Sequence, residues 1–410
     1  MLLTLALCRQ LPLKLGATCA AHCMLHAPEP TRPPKTTTAD LTSALLGGRI
    51  VGLDFLRAVA VMLVLGDHSG AYLLGVDMGL NGGLGVELFF VLSGFLITWM
   101  LQHEFQKHQT IDFRAFYWRR LLRLMPIFYV YVILCLLMLA LLHRPIPWGA
   151  VVSGLTYTTN YYQALHDAPT HFLSHCWSLA VEEQFYFLWP MALWLILKRK
   201  LPPARAIVLL IGLIWLHRSV LFLSGWADDA YLYRALDTLA DHLLAGCLLA
   251  VWLRDVRHQQ AMSRITQRAP WLLLLIGSAL MLSGHFHGDR GYRYLVAYAL
   301  EPMLMAALIP MLITFAHARQ GPVAALINSR PVVAIGQASY GIYLFHPVLL
   351  HPVRHVVERL SNSFTLAMLI SVSVLSVLAW LSFRFFETPL RLRFAAIGTR
   401  APSSPLTTAS

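Results

Sequence analysis

Charge is what this sequence is short of. Asp, Glu, Lys and Arg make up only 13% of its 410 residues, whereas 57% are hydrophobic and the mean hydropathy is +0.60. A water-soluble domain has too little interior to hide that much apolar surface, so the composition implies an all-α, polytopic transmembrane helix bundle. Long stretches of strict polar–apolar alternation are also missing, which argues against a transmembrane β-barrel. Cysteine is sparse and scattered: of six, Cys135 and Cys247 lie inside apolar runs and Cys176 sits at a helix edge, so no disulfide framework is implied. Cys19, Cys23 and His26 in "CAAHCMLH" are read as part of a flexible extension rather than as a zinc cluster, so no metal is expected. No basic residue precedes the apolar start "MLLTLALC", and Arg9 breaks it at once, so residues 1–48 do not read as a signal peptide. Leu7 stands where a lipidation signal needs a small residue.

What is there is a succession of apolar runs, near 53–74, 85–102, 124–142, 177–197, 206–224, 232–253, 271–284, 293–316, 333–353 and 364–386. Each can span a bilayer, the run at 271–284 being the shortest at roughly 21 Å. The segment 150–165, with "TYTTNYYQ", is too polar to count. The net charge of +12 does not indicate a nucleic-acid partner, because its positive residues sit in the loops between apolar runs. With ten spans and both termini cytoplasmic, Lys107, Arg114, Lys198, Arg199, Lys200, Arg205, Arg254, Arg257, Arg264 and Arg268 all fall inside. Letting 150–165 span would put "KRK" (198–200) on the wrong face. The expected organisation is a flexible extension over 1–48 with the linker "APEPTRPPKTTT", a membrane domain over 49–390, and a short basic cytoplasmic tail over 391–410.

The few polar residues inside the runs carry the functional signal. Arg57 and His68 lie eleven residues apart, roughly 16 Å along a helix and within about 20° of the same face. That face cannot meet lipid and must line an interior cavity. Glu87 in "GVELFFVLSGF" sits about one turn below the outer surface. Ser178, Glu182 and Tyr186 form an i, i+4, i+8 stripe in "WSLAVEEQFYFLWP". Ser339, Tyr343 and His346 share a face of "ASYGIYLFHPV", and Tyr294, Tyr298 and Glu301 form a further set. Arg234, Asp237 and Asp241 have the spacing to pair along one side, a structural role by preference. At the cytoplasmic mouth of the 124–142 run, "FYWRRLLRLMP" places Arg119, Arg120 and Arg123 beside Tyr117 and Trp118. Arg120 and Arg123, one turn apart, can grip phosphates through forked donors, or the cluster can be a positive-inside anchor. Glu301 before Pro302 can equally mark a helix kink.

These segments together resemble the acyltransferase family 3 membrane proteins, which O-acylate glycans and other hydroxylated compounds. The resemblance rests on "RIVGLDFLRAVAVMLVLGDH", "GGLGVELFFVLSGFLI", "FYWRRLLRLMP", "WSLAVEEQFYFLWP", "ASYGIYLFHP" and "FRFFETPLR" in that order, over about 49–393. It implies that Arg57 and His68 are the family's essential pair, and that Arg120 and Arg123 form its arginine motif for acyl-CoA. The Ser-Tyr pattern of the family falls on Ser339 and Tyr340. Asp67 departs from it, since an apolar or aromatic residue is common before the histidine. The implied activity is O-acyl transfer, most simply O-acetylation, at a bacterial cytoplasmic (inner) membrane. Acetyl-CoA or another acyl-CoA is the expected co-substrate, with no tightly bound cofactor and a glycan hydroxyl as acceptor. Some family members carry a fused extracytoplasmic esterase-like domain; here such a partner would be a separate protein. On this reading Arg119, Arg120 and Arg123 hold the nucleotide phosphates, and the pantetheine arm runs past Arg57. His68 then acts as general base, with Glu87 or Glu182 orienting its ring and Arg57, Ser178 or Tyr343 stabilising the oxyanion. An acyl-enzyme on His68 or Ser93 stays open. The rival is a transporter that uses the same buried charges as a substrate or proton path.

Overall fold

The computed structural model describes residues 41–394, apart from 47–49, 70–71, 74–75, 78–80, 167–171 and 319–320. In chain order its first helices are α1 (Leu41–Leu46), α2 (Val51–Ser69), α3 (Gly82–His108), α4 (Phe113–Leu141), α5 (Trp148–Leu155) and α6 (Thr159–Leu165). These are followed by α7 (Trp177–Lys198), α8 (Pro203–Ser224), α9 (Asp229–Arg234), α10 (Leu236–Trp252) and α11 (Val256–Arg268). The chain closes with α12 (Leu272–His285), α13 (Tyr298–Ala318), α14 (Gly321–Ile327), α15 (Arg330–Ser361), α16 (Phe364–Ser382) and α17 (Thr388–Phe394). The expected all-α fold acquires one small exception. Between α2 and α3, β1 (Tyr72–Leu73) and β2 (Val76–Asp77) form an antiparallel ribbon, so the first helix stops at Ser69 rather than near 74.

Seven helical stretches are long and apolar enough to cross a membrane, or eight if α11 and α12, which meet at 91°, form one broken span. Every predicted run contains a helix, and 150–165 is indeed too short to cross, being split into α5 and α6. Of the ten, α2 and α7 fall outside the apolar set. They carry Arg57 with His68 and Ser178 with Glu182, so their polarity marks where the bundle is wet. Exposed apolar side chains at helical spacing suit contact with lipid: Leu209, Leu213 and Leu216 on α8, Val374, Val377 and Leu378 on α16, and Phe187, Leu188 and Met191 on α7.

Local chemistry sets the helix ends. Asn81 and Asp112 cap α3 and α4, their side chains accepting from the amides of Gly83 and Ala115. Asn362 ends α15 in the left-handed region at φ 51°, and Ser363 caps α16 immediately after it, which makes a tight antiparallel turn. Glycine decides how closely two pairs of helices approach. A Cβ on Gly94 would lie 1.8 Å from the Leu243 carbonyl oxygen, and one on Gly246 would lie 1.9 Å from that of Val91, so α3 and α10 cross backbone to backbone. Gly336 of α15 packs in the same way on Asp54 of α2, where a Cβ would meet the carbonyl oxygen at 1.9 Å. Twelve or so residues further along the same two helices, His346 meets His68, so α2 and α15 run parallel.

The residues of the predicted extension divide. Cys19, Cys23, His26 and the Pro-rich linker lie outside the described residues, as does the tail beyond 394. Leu41, Ala44 and Leu45 of α1 are buried with Leu53 and Leu56 of α2 and Ile309 and Ile313 of α13. Their apolar side chains pack into the core of the membrane domain.

Candidate active site

The contact of Gly336 with Asp54 brings the polar faces of α2 and α15 together, and α3, α4 and α7 close the space around them. A cavity of about 110 Å³ is lined there by Arg57, Ser93, Arg120, Arg123, Ser178, Glu182, Tyr186, Ser339, Tyr340 and Tyr343 among others. A second, of about 220 Å³, is lined by Asp54, Gln337, Glu387 and Arg391 and shares Arg57, Arg123, Ser339 and Tyr340 with the first. The two cavities adjoin at these four residues, the second lying toward Arg391 of α17 and the first toward Ser178 and Tyr343.

The stripe on α7 faces the first cavity as its spacing predicts. Ser93 of α3 donates to Glu182 Oε1 at 2.5 Å, and Arg120 stands 3.5 Å from the same oxygen. Arg120 itself is engaged by Glu183: Nε lies 2.9 and 3.2 Å from the two carboxylate oxygens and Nη2 2.5 Å from Oε1. Its guanidinium also stacks 3.2 Å above the Tyr186 ring. A fork held in this way is a fixed wall rather than a free phosphate grip. Arg123 lines both cavities and makes no hydrogen bond or ion pair among the described residues. Arg57 has one partner, Asp54 at 3.4 Å, which leaves most of its donors toward the cavity. Arg119 lies outside both cavities, half-exposed and 3.8 Å from Glu104. The helix explains the split, since neighbours in sequence point about 100° apart. All three arginines sit well inside α4, which begins at Phe113, rather than at the mouth of a helix starting near 124.

Beyond the cavity lies a hydrogen-bonded plug. Tyr343 Oη is 2.6 Å from Ser178 Oγ and donates to the His175 carbonyl at 2.9 Å. The His346 ring packs against both His175 and His68, with centroids 5.1 and 4.8 Å apart. His346 Nδ1 lies 2.5 Å from the Tyr343 carbonyl and His68 Nδ1 lies 3.0 Å from the Val64 carbonyl. A carbonyl can only accept, so both Nδ1 atoms carry a proton, and it is at Nε2 that each ring is left to give or take one. His346 is buried, whereas the His68 side chain is 47% exposed on the far side of the plug. Arg57 and His68 therefore share a helix face but not one cavity: Arg57 lines it, and His68 reaches it through His346 and Tyr343.

Several expectations need correction. Neither Glu87 nor Glu182 orients the His68 ring, because a backbone carbonyl already does so. Glu87 is buried on the side of α3 away from the cavity, 3.7 Å from His242 Nε2. Arg234 pairs with neither Asp237 nor Asp241. The chain is extended at Ala235, so α9 and α10 are separate helices and i, i+3 spacing does not carry across the break. Asp237 instead accepts from Tyr161, His217 and Tyr231, and Asp241 pairs at 2.8 Å with the fully buried Arg218 of α8. Glu301 bonds His287 rather than freed backbone at a kink. Sequence reasoning missed His175, Glu183, Arg218, His242 and His287; only His175 and Glu183, which flank or sit inside "WSLAVEEQ", had a motif to point at them.

The site is an arginine-rich cavity inside a multi-pass helix bundle, with histidines closing one end. The model of the acyltransferase domain of family 3 matches residues 50–384, and the chain belongs to that family. It is an integral, multi-pass protein of the bacterial cytoplasmic (inner) membrane. It is similar to the peptidoglycan O-acetyltransferase OatA of Listeria monocytogenes, 31% identical over 83% of this chain and 56% of that protein. It is likewise similar to the O-acetyltransferase OatA of Staphylococcus aureus, 30% identical over 83% of this chain and 57% of that protein. The chain thus spans little more than half the length of these relatives. No solved structure matches it.

Proposed function

We propose that the protein is a membrane-embedded O-acyltransferase that moves an acyl group, in the simplest case acetyl, from cytoplasmic acyl-CoA to a hydroxyl of a glycan. The observation that carries this reading is the pair of adjoining cavities that share Arg57 and Arg123, in a chain of this family. Arg123, with Arg391 in the second cavity, binds the phosphates of the donor, and Arg119 adds positive potential nearby. Arg120 is a positioning residue that keeps Glu182, Glu183 and Tyr186 in place. Arg57, Ser178 and Tyr343 face the thioester carbonyl and stabilise the charge that develops on its oxygen. Ser339 and Tyr340 line the passage shared by both cavities.

The acceptor enters from the outer face, where His68 is exposed. For acceptor and thioester to meet, the Ser178–Tyr343 hydrogen bond of the plug has to open. His68 Nε2 then takes the hydroxyl proton as the oxygen attacks the carbonyl carbon, and the thiolate of coenzyme A leaves and is protonated on the cytoplasmic side. His346 stands between the two compartments as a neutral ring able to pass that proton. The layout with ten spans and both ends of the chain cytoplasmic is part of the proposal. The parallel course of α2 and α15, the first and ninth spans, supports it, since seven crossings between them return the chain to the same direction. The bounds 49–390 for the membrane domain, with 1–48 and 391–410 flanking it, belong to the same reading, adjusted so that α1 and Arg391 count with the domain they pack against. Because the relatives named above are described as acting on peptidoglycan or as O-acetyltransferases, peptidoglycan fragments are the first acceptors to try. A separate extracytoplasmic partner that hands on the acyl group is compatible with this scheme.

The test is coenzyme A release by purified protein in lipid vesicles supplied with acetyl-CoA and glycan fragments. Release that requires the glycan, with an acetyl ester on it by mass spectrometry, supports the proposal. Uptake of solute without acetyl-CoA consumption would instead support the transporter.

A further inference from the structure

Four ionisable side chains meet in the bundle away from the cavity. Glu87 of α3, Glu301 of α13 and His287, from the turn after α12, bring one ligand atom each to within 4.8 Å of one another, and all three are buried. His242 of α10 adds a fourth, its Nε2 3.7 Å from Glu87 Oε2. Glu301 and His242 have no solvent exposure. Ordinary pairing does not use up these groups. His287 Nε2 sits 2.9 and 3.1 Å from the two Glu301 oxygens, but Glu87 Oε2 and His242 Nε2 have no hydrogen-bond partner among the described residues. They face each other at a distance too long for a hydrogen bond, and two unpartnered acceptors buried side by side are costly.

The shell behind them is ordered. His242 Nδ1 lies 2.9 Å from Asp241 Oδ1, and Asp241 Oδ2 takes 2.8 Å bonds from both Arg218 and Trp215. That carboxylate fixes the proton on Nδ1 and aims the Nε2 lone pair at Glu87. A carboxylate behind an imidazole is the usual backing of a metal-ligating histidine. We propose that Glu87, Glu301, His287 and His242 form a binding site for one divalent transition metal ion. Two imidazoles and two carboxylates suit zinc, with manganese or ferrous iron as alternatives. Two of the separations, His287 to Glu301 at 2.9 Å and His242 to Glu87 at 3.7 Å, lie either side of the roughly 3.3 Å edge of a tetrahedron with bonds of about 2.0 Å. Those among Glu87, His287 and Glu301 extend to as much as 4.8 Å, so a bound ion draws the donors inward. The ion neutralises both glutamates, displaces the proton that His287 shares with Glu301, and ties together three helices and the turn after α12 within the membrane. The donors come from three regions of the sequence, around 87, 242 and 287–301, so no short spacing motif announces them.

The test uses the full chain purified in detergent, stripped with a chelator and then dialysed against zinc, manganese or ferrous iron. The expected result is roughly one ion per chain by elemental analysis, a melting temperature that rises on reloading, and an X-ray absorption spectrum of nitrogen and oxygen ligands without sulfur. Glu301→Gln and His242→Asn should each lower retained metal about tenfold or more. Sulfur ligation would place the ion on cysteines and overturn the proposal. So would stripped wild-type protein that takes up less than about a tenth of an equivalent of each ion, or variants that keep the wild-type content. Because the wild-type measurements need no substitution, a variant that fails to fold leaves the proposal testable.

Discussion

His68 is bonded to its own helix: Nδ1 lies on the Val64 carbonyl, Nε2 makes no hydrogen bond among the described residues, and about half of the side chain is exposed, an arrangement suited to the proposed proton transfer. His68→Ala should therefore lower turnover by about 10²–10⁴-fold while donor binding persists, as measured by acetyl-CoA binding alongside coenzyme A release. Full activity in this variant would remove His68 from the chemistry. Arg123 differs from Arg120 in having no hydrogen-bond or ion-pair partner among the described residues. Arg123→Ala should act mainly on the apparent KM for acetyl-CoA; an unchanged KM would return this residue to a merely anchoring role. Arg120 belongs to a mostly buried ion pair, and removing one member leaves a carboxylate stranded in low dielectric. Arg120→Met should thus destabilise the protein by about 3–5 kcal/mol, and Arg120→Met with Glu183→Met should recover much of that loss in thermal melts. Additive losses would mean that the pair does not act as a unit.

At the scale of elements, the site depends on two helices that pack through glycine. Gly336 has no room for a methyl group against the Asp54 carbonyl, and one turn beyond it on each helix lie Ser339 and Arg57. Gly336→Ala should force α2 and α15 apart, reducing both the yield of monodisperse protein and the activity of what remains. Wild-type activity and melting behaviour in Gly336→Ala would show that the contact is not decisive. Much of this level is legible in the residues themselves. The apolar runs located the helices, and the stripe of Ser178, Glu182 and Tyr186 reached the cavity because i, i+4, i+8 spacing holds within one unbroken helix. The same reasoning failed for Arg234 and Asp237, where an extended residue at Ala235 divides the helix. It failed again at Glu87, whose face is set by what packs on α3 rather than by its depth in the membrane.

The whole molecule adds direction. Positive loops set against an apolar bundle predict that Lys200, between α7 and α8, is cytoplasmic and that Arg144, between α4 and α5, is outside. In a cysteine-free background, Lys200→Cys should resist a membrane-impermeant thiol reagent applied to whole cells and Arg144→Cys should react; the reverse pattern would invert the proposed route of the donor. Composition, hydropathy and loop charge determined by themselves that the chain is a multi-pass helix bundle, and the ordered motifs pointed to its family. These properties add up along the chain, so each segment declares its share without reference to the others. Only the tertiary structure decided that Arg120 is tied to Glu183 while Arg123 has no such partner among the described residues, that His346 and Tyr343 stand between Arg57 and His68, and that Glu87, His287 and Glu301 converge with His242 beside Glu87. Those outcomes depend on which helix faces meet across hundreds of residues, and the packing of whole helices, not local periodicity, fixes that.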